Sequence, residues 1–179
     1  MNTLQNVIVS KKSFDSDDKY DIIYSNITVV NLILDEGGSY GQITDESLCS
    51  YFVDYYSSQV ANGNFSQFVY NSGWNETMNE IIKTGLSKMN ANKHLELFEK
   101  QSNIVNSLPQ DELEAYFNSE YFGENATRDK LKCDEFFDIP EDLTDLNSQW
   151  LRNLPNLKVL DFEEMFTKLE TLLGKKISR

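Results

Sequence analysis

The sequence predicts an all-α protein, or nearly so, folded as a compact single-domain multi-helix bundle over residues 1–179. Three observations predict it. Apolar residues recur at steps of three and four along most of the chain. Helix start and stop residues stand at the ends of those stripes. No series of short alternating runs joined by hairpin turns occurs, which argues against a large sheet.

Residues 1–19 read as polar and irregular, ending in the acids Asp15, Asp17 and Asp18. In the following segment Ile23, Ile27, Val30 and Leu34 form a helical stripe, closed by Gly37 and Gly38. Thr44-Asp45-Glu46 marks the start of a helix reaching about Ala61, with acids in its first turn. Asn62-Gly63-Asn64 reads as a stop and turn, followed by a short helix from Phe65 to Tyr70. Asn75 reads as the N-cap of a helix from Glu76 to Leu86, and another is expected from Ser87 to Val105. A helix from Pro109 to Phe117 places the proline near its first position. Residues 127–138 read as helical up to a break at Pro140, with a restart to Leu151. The last helix is expected from Val159 to Leu173.

Composition narrows the function classes. Hydrophobic residues are 40% and aromatics 12% of the chain, enough for a core and unlike a disordered sequence. Twenty-nine acids against sixteen Lys and Arg give a net charge of -13. Such a chain repels nucleic acid and anionic membranes, and attracts basic proteins. Twelve acids and three bases fall within 111–145, so this stretch carries -9 of the total. No segment has the length and apolarity of a membrane span. The N-terminus lacks the pattern of a signal peptide, so a cytoplasmic location is expected. Cys49 and Cys133 are expected reduced in the core, and four N-x-[ST] matches at Asn26, Asn64, Asn75 and Asn125 carry little weight in an Asn-rich chain.

No catalytic constellation emerges. His94 is the only histidine, and it has no nucleophile motif to serve. The run from Asp15 to Tyr20 fails the calcium-loop pattern at Lys19, Tyr20 and Asn26. No glycine-rich phosphate loop occurs. No cofactor and no metal are expected.

The stretch from Ser57 to Met89 carries a motif. Asn62, Gly63, Phe65, Gln67, Phe68, Asn71 and Gly85 match a helix, an N-G-G-F-x-Q-F turn, and a helix entering a small glycine. In these residues the chain resembles the DNA-mimic protein family of bacteria (nineteen-kilodalton type), a domain of unknown function. The resemblance covers about 45–105, and Asn64 stands where the family has its second glycine. It implies a mainly helical fold, a homodimer, and an acidic surface that imitates DNA, as in the family's namesake. The motif residues themselves read as structural: Gly63 a helix C-cap, Phe65 and Phe68 core plugs, Gln67 and Asn71 hydrogen-bonding the turn.

The candidate partner-binding face is the set Glu120, Glu124, Asp134, Glu135, Asp138, Glu141, Asp142 and Asp145. Carboxylates three or four apart on a helix stand roughly 5–6 Å from one another, a spacing that Lys and Arg adapted to phosphates can accept. The leading expectation is a non-enzymatic interaction protein that occupies a basic, DNA-binding or other nucleic-acid-binding protein. The alternative is a helical protein- or ligand-binding domain whose acidity serves solubility alone.

Overall fold

The computed structural model describes residues 2–178. The elements in chain order are β1 (Val7–Ser10), α1 (Lys11–Phe14), α2 (Lys19–Asp35), a 3-10 turn (Tyr40–Gln42), α3 (Asp45–Ser72), α4 (Glu76–Lys88), α5 (Asn92–Asn106), α6 (Gln110–Phe117), α7 (Ala126–Lys130), a 3-10 turn (Asp134–Asp138), α8 (Leu143–Arg152), β2 (Leu157–Leu160) and α9 (Phe162–Leu173). The fold is mostly α, as the stripes require. Among the described residues no helix is long and apolar enough to cross a membrane. The chain forms two compact units. One joins the chain up to Asp54 with the chain from Leu143 onward, and the other is Tyr55–Asp142.

The first unit is organised on β1 and α2. Val7 and Val9 are fully buried and pack with Ile22, Ile23 and Leu151, while Trp150, Leu157 and Val159 close the cluster. β1 pairs in parallel with β2, Val7 opposite Leu157 and Ser10 opposite Leu160. Asp18 caps α2 by accepting from the Tyr20 N–H, and Gly37 takes the left-handed conformation just past its end. The buried stripe of α2 contains Asn26, whose amide donates to the Ser47 carbonyl at 3.0 Å and so satisfies a polar group in the core.

The second unit is built on aromatic rings. Tyr56, Phe65, Phe68 and Phe98 are buried, and the Tyr56 ring meets Phe68 and Phe98 edge-on at 5.3 and 5.1 Å. Trp74 stacks on Phe98 at 6.3 Å. Phe65 and Phe68 therefore plug the core as the motif reading expected. Asn75 caps α4 by accepting from the Met78 N–H at 2.9 Å. Neither cysteine forms a disulfide, and both are buried.

Several expectations change. Val7–Ser10 is a strand rather than irregular chain, and Val159 and Leu160 belong to the strand Leu157–Leu160 rather than to the start of the last helix. Each needs a partner 150 positions away, which no local pattern reports. Asp161 then starts α9 with a capping box to Glu164. α5 begins at Asn92 rather than Ser87, because Asn90 adopts φ 58° and ends the preceding turn. The expected helix over 127–138 is only α7 and a 3-10 turn. The expected stop at Asn62-Gly63-Asn64 holds: α3 is two helical stretches meeting at a kink, with non-helical angles at Gly63 and Asn64.

Candidate functional site

The kink in α3 is the centre of the arrangement. Gly63 has φ -151° and ψ 25°, and Asn64 has φ 71° and ψ 177°. Positive φ with ψ near 180° is glycine territory and costs an Asn about 1–3 kcal/mol. The side chain offsets that strain. Asn64 Oδ1 accepts from the Phe65 N–H at 2.7 Å and from the Cys133 N–H, and Nδ2 donates to Asp134 at 2.9 Å. The left-handed residue is thus Asn64, and Gly63 is a glycine for another reason. A Cβ at Gly63 would stand 1.9 Å from Gln67 Oε1 and 2.9 Å from Gln67 Cβ. Gly63 ends the first helical stretch of α3 with a negative φ rather than in the left-handed conformation.

Breaking the helical ladder frees the Gly63 carbonyl. It accepts from the Tyr121 hydroxyl at 2.8 Å. The loop carrying Tyr121 is held at several further points. The Tyr70 hydroxyl donates to the Ser119 carbonyl at 2.6 Å, and Arg128 donates to the Tyr121 carbonyl at 2.9 Å while lying over its ring. Buried Tyr116 donates to the Ser66 carbonyl at 2.9 Å. Burial pushes its hydroxyl well above the usual phenol range. The motif thereby clamps two stretches of the acidic segment: 119–125 through Gly63, and 133–134 through Asn64.

The candidate acids divide by what they touch. Glu120 and Glu124 are exposed on the clamped loop, and Asp138 is exposed at the end of the second 3-10 turn. Asp134 is exposed and holds Asn64. Glu135 pairs with Lys100 at 2.6 Å, both side chains more than half exposed, so the pair is worth about 0–1 kcal/mol and can exchange partners. Glu141 is engaged differently. Its carboxylate accepts from the Lys93 N–H at 3.0 Å and the His94 N–H at 3.4 Å. It caps α5, where Ala91 offers no side-chain acceptor. Asp142 is exposed. Asp145 belongs to the other unit and pairs with Lys19 at 2.7 Å, which holds its carboxyl below the usual range. The acidic segment 111–145 is therefore divided between the two units after Asp142.

Gln67 and Asn71 do not bond the turn backbone. Both amides donate to Gln59 Oε1, at 3.0 and 2.6 Å. Asn62 is exposed on α3 immediately before the kink. His94 is buried against Phe136, with Nε2 3.0 Å from the Glu141 carbonyl. Burial lowers its pKa. A cavity of about 370 Å³ lies beside Trp74, lined also by Thr77, Asn79, Glu80, Lys83 and Asn106. The Asn79 Oδ1 within that wall is buried without a partner.

Sequence reasoning missed Tyr121, Arg128 and the anchoring role of Asn64. One signal was available: an Asn at a position where the turn wants glycine must be repaid by its side chain.

The fold and the clamp define a mostly helical protein in which a motif-bearing kink holds an acidic segment. A family model described as DMP19-like protein matches residues 41–154. The chain belongs to that family. No curated protein and no solved structure matches it.

Proposed function

We propose that the protein is a non-enzymatic acidic interaction protein that occupies the nucleic-acid-binding surface of a basic protein, as a DNA mimic. The observation that carries this reading is the concentration of charge. Fifteen acids against seven Lys and Arg lie in the unit 55–142, and Glu120, Glu124 and Asp138 stand exposed on its clamped segments. A DNA-binding surface arranges its Lys and Arg for phosphates, and carboxylates fixed in place can engage the same side chains. The hydrogen bonds to Gly63 and Asn64 order the array before binding, which lowers the entropic cost of association. Membership of the DMP19-like family supports the reading, because the family's namesake acts this way. Asp134 and Glu135 contribute at the edge of the array, whereas Glu141 mainly caps α5. We further propose a cytoplasmic location and a homodimer.

A second reading, a ligand-binding domain, draws support from the cavity beside Trp74 and the orphaned Asn79 acceptor. The motif amides lend it none, because Gln59 already engages them.

The test is capture from cell lysate at low and high salt, followed by competition with DNA. Basic partners that are released by salt and displaced by DNA are expected. Partners that are not basic, or that DNA fails to displace, would contradict the mimic reading in favour of an ordinary binding domain.

A further inference from the structure

Two stretches of the second unit repeat one device. In Glu120-Tyr121-Phe122-Gly123-Glu124 and in Asp134-Glu135-Phe136-Phe137-Asp138, adjacent aromatic residues lie between carboxylates. The first ring of each pair is half-buried and the second is exposed: Phe122 by 85% and Phe137 by 57%. The two rings of each pair meet edge to face, at 5.5 Å and 84° in the first and 5.5 Å and 83° in the second. Both stretches are fixed to neighbouring residues of the α3 kink. The Tyr121 hydroxyl bonds Gly63, and Asn64 bonds Asp134 and the Cys133 N–H.

A single exposed Phe needs no explanation. Two exposed rings, each next to a packed ring, each flanked by acids and each on a clamped stretch, make a pattern. Phe122 contributes almost nothing to the core at that exposure, so folding does not account for it. Rigid exposed aromatics are the usual anchors of interfaces.

The chemistry of the flanks selects the partner. A duplex turns phosphates outward and keeps its bases stacked inside, so a duplex mimic needs carboxylates only. Single strands present splayed bases between phosphates. The proteins that bind them pair Lys and Arg with aromatic platforms on which bases stack. An exposed ring between two carboxylates has the form of an unpaired base between two phosphates.

We propose that the surface imitates single-stranded nucleic acid, with Phe122 and Phe137 entering the base-stacking platforms of the partner and Glu120, Glu124 and Asp138 meeting its Lys and Arg. This rests on the mimic reading above and specifies its partner class: a protein with a groove for unpaired nucleic acid.

The full chain is titrated against two probes of similar basicity, an OB-fold single-strand-binding protein and a duplex-binding architectural protein. Binding to the OB-fold probe is expected, with displacement by oligothymidylate at least tenfold more effective than by duplex of equal length. Phe122→Ala and Phe137→Ala are each expected to weaken it about tenfold with the salt dependence unchanged, since base stacking on aromatics is worth roughly that much per base. Glu120→Gln with Glu124→Gln is expected to lower the salt dependence instead. Melting curves of the two Phe variants, expected to match the parent, separate lost contact from lost fold. Preference for the duplex-binding probe, or Phe variants that bind as well as the parent, would overturn this inference and leave the mimic reading standing. Absence of salt-dependent binding to either probe would overturn both.

Discussion

The motif region around the α3 kink and the acidic segment that follows α6 are both rich in polar and aromatic residues, and they use them in opposite ways. Around the kink the groups face inward or one another. Phe65 and Phe68 are buried, and Gln67 and Asn71 share Gln59. In the acidic segment the helices shorten to one or two turns, and side chains from distant positions hold the chain in place. There the carboxylates and two phenyl rings face solvent. The difference teaches that the family motif is a scaffold. Phe65 and Phe68 fill the core, the kink at Gly63 and Asn64 holds the acidic segment, and the proposed binding surface lies elsewhere in the chain.

Mutations that break one region and spare the other sharpen the comparison. The largest effect is expected at Phe68, which is 0% exposed. Phe68→Ala should destabilise the protein by about 3–5 kcal/mol in denaturant unfolding. Gly63→Val should cost about 1–3 kcal/mol, because the new side chain must displace Gln67 down to its Cβ. Unchanged melting temperatures in both would show that the motif is not core.

Asn64 is the finer probe. Asn64→Gly removes the backbone strain and the anchor together, about 1–3 kcal/mol of relief against hydrogen bonds worth about 0.5–1.5 kcal/mol each. Stability should therefore change little. Hydrogen exchange should speed up at the Cys133 N–H, which loses its acceptor. Unaltered exchange there would mean that Asn64 does not hold the segment.

A pH effect of similar size is expected at Asp54, whose burial pushes its carboxyl up to about 6. A raised carboxyl pKa means that the folded state holds a proton that the unfolded state releases. Stability should then fall as pH rises from about 4 to 6. Asp54→Asn should raise stability at pH 7 by roughly 1–2 kcal/mol, with the gain vanishing near pH 4. An equal gain at both values would place its origin outside this carboxyl.

Much of the scaffold was legible because its causes are local. The stripe of α2, the Asn75 cap and the acids at the start of α3 sit within a turn or two of what they stabilise. The strands were not legible, since Val7–Ser10 and Leu157–Leu160 are four residues each and stabilise one another across the chain. The concentration of acids was plain, but their separate roles were not. Glu141 caps a helix 48 positions back, and Asp134 answers an Asn 70 positions back. Periodicity also misread 127–138 as helix, because tertiary bonds to α3, rather than helical hydrogen bonds, hold the Cys133 end of that stretch. The N-x-[ST] matches follow the same logic: Asn26 is a core amide, Asn64 the anchor, and Asn75 and Asn125 helix caps.

The smallest expected effect on stability belongs to the proposed binding surface. Glu120→Gln, Glu124→Gln and Asp138→Asn are exposed changes, each expected to shift stability by less than about 0.5 kcal/mol. The most direct test of the division between scaffold and surface is the salt dependence of affinity for a basic partner, measured for the parent and for this triple variant. Neutralising three contacting carboxylates should lower both the affinity and the slope of log affinity against log salt, while the melting temperature holds. An unchanged slope and affinity in a variant that folds normally would contradict the assignment of the acidic segment as the binding surface.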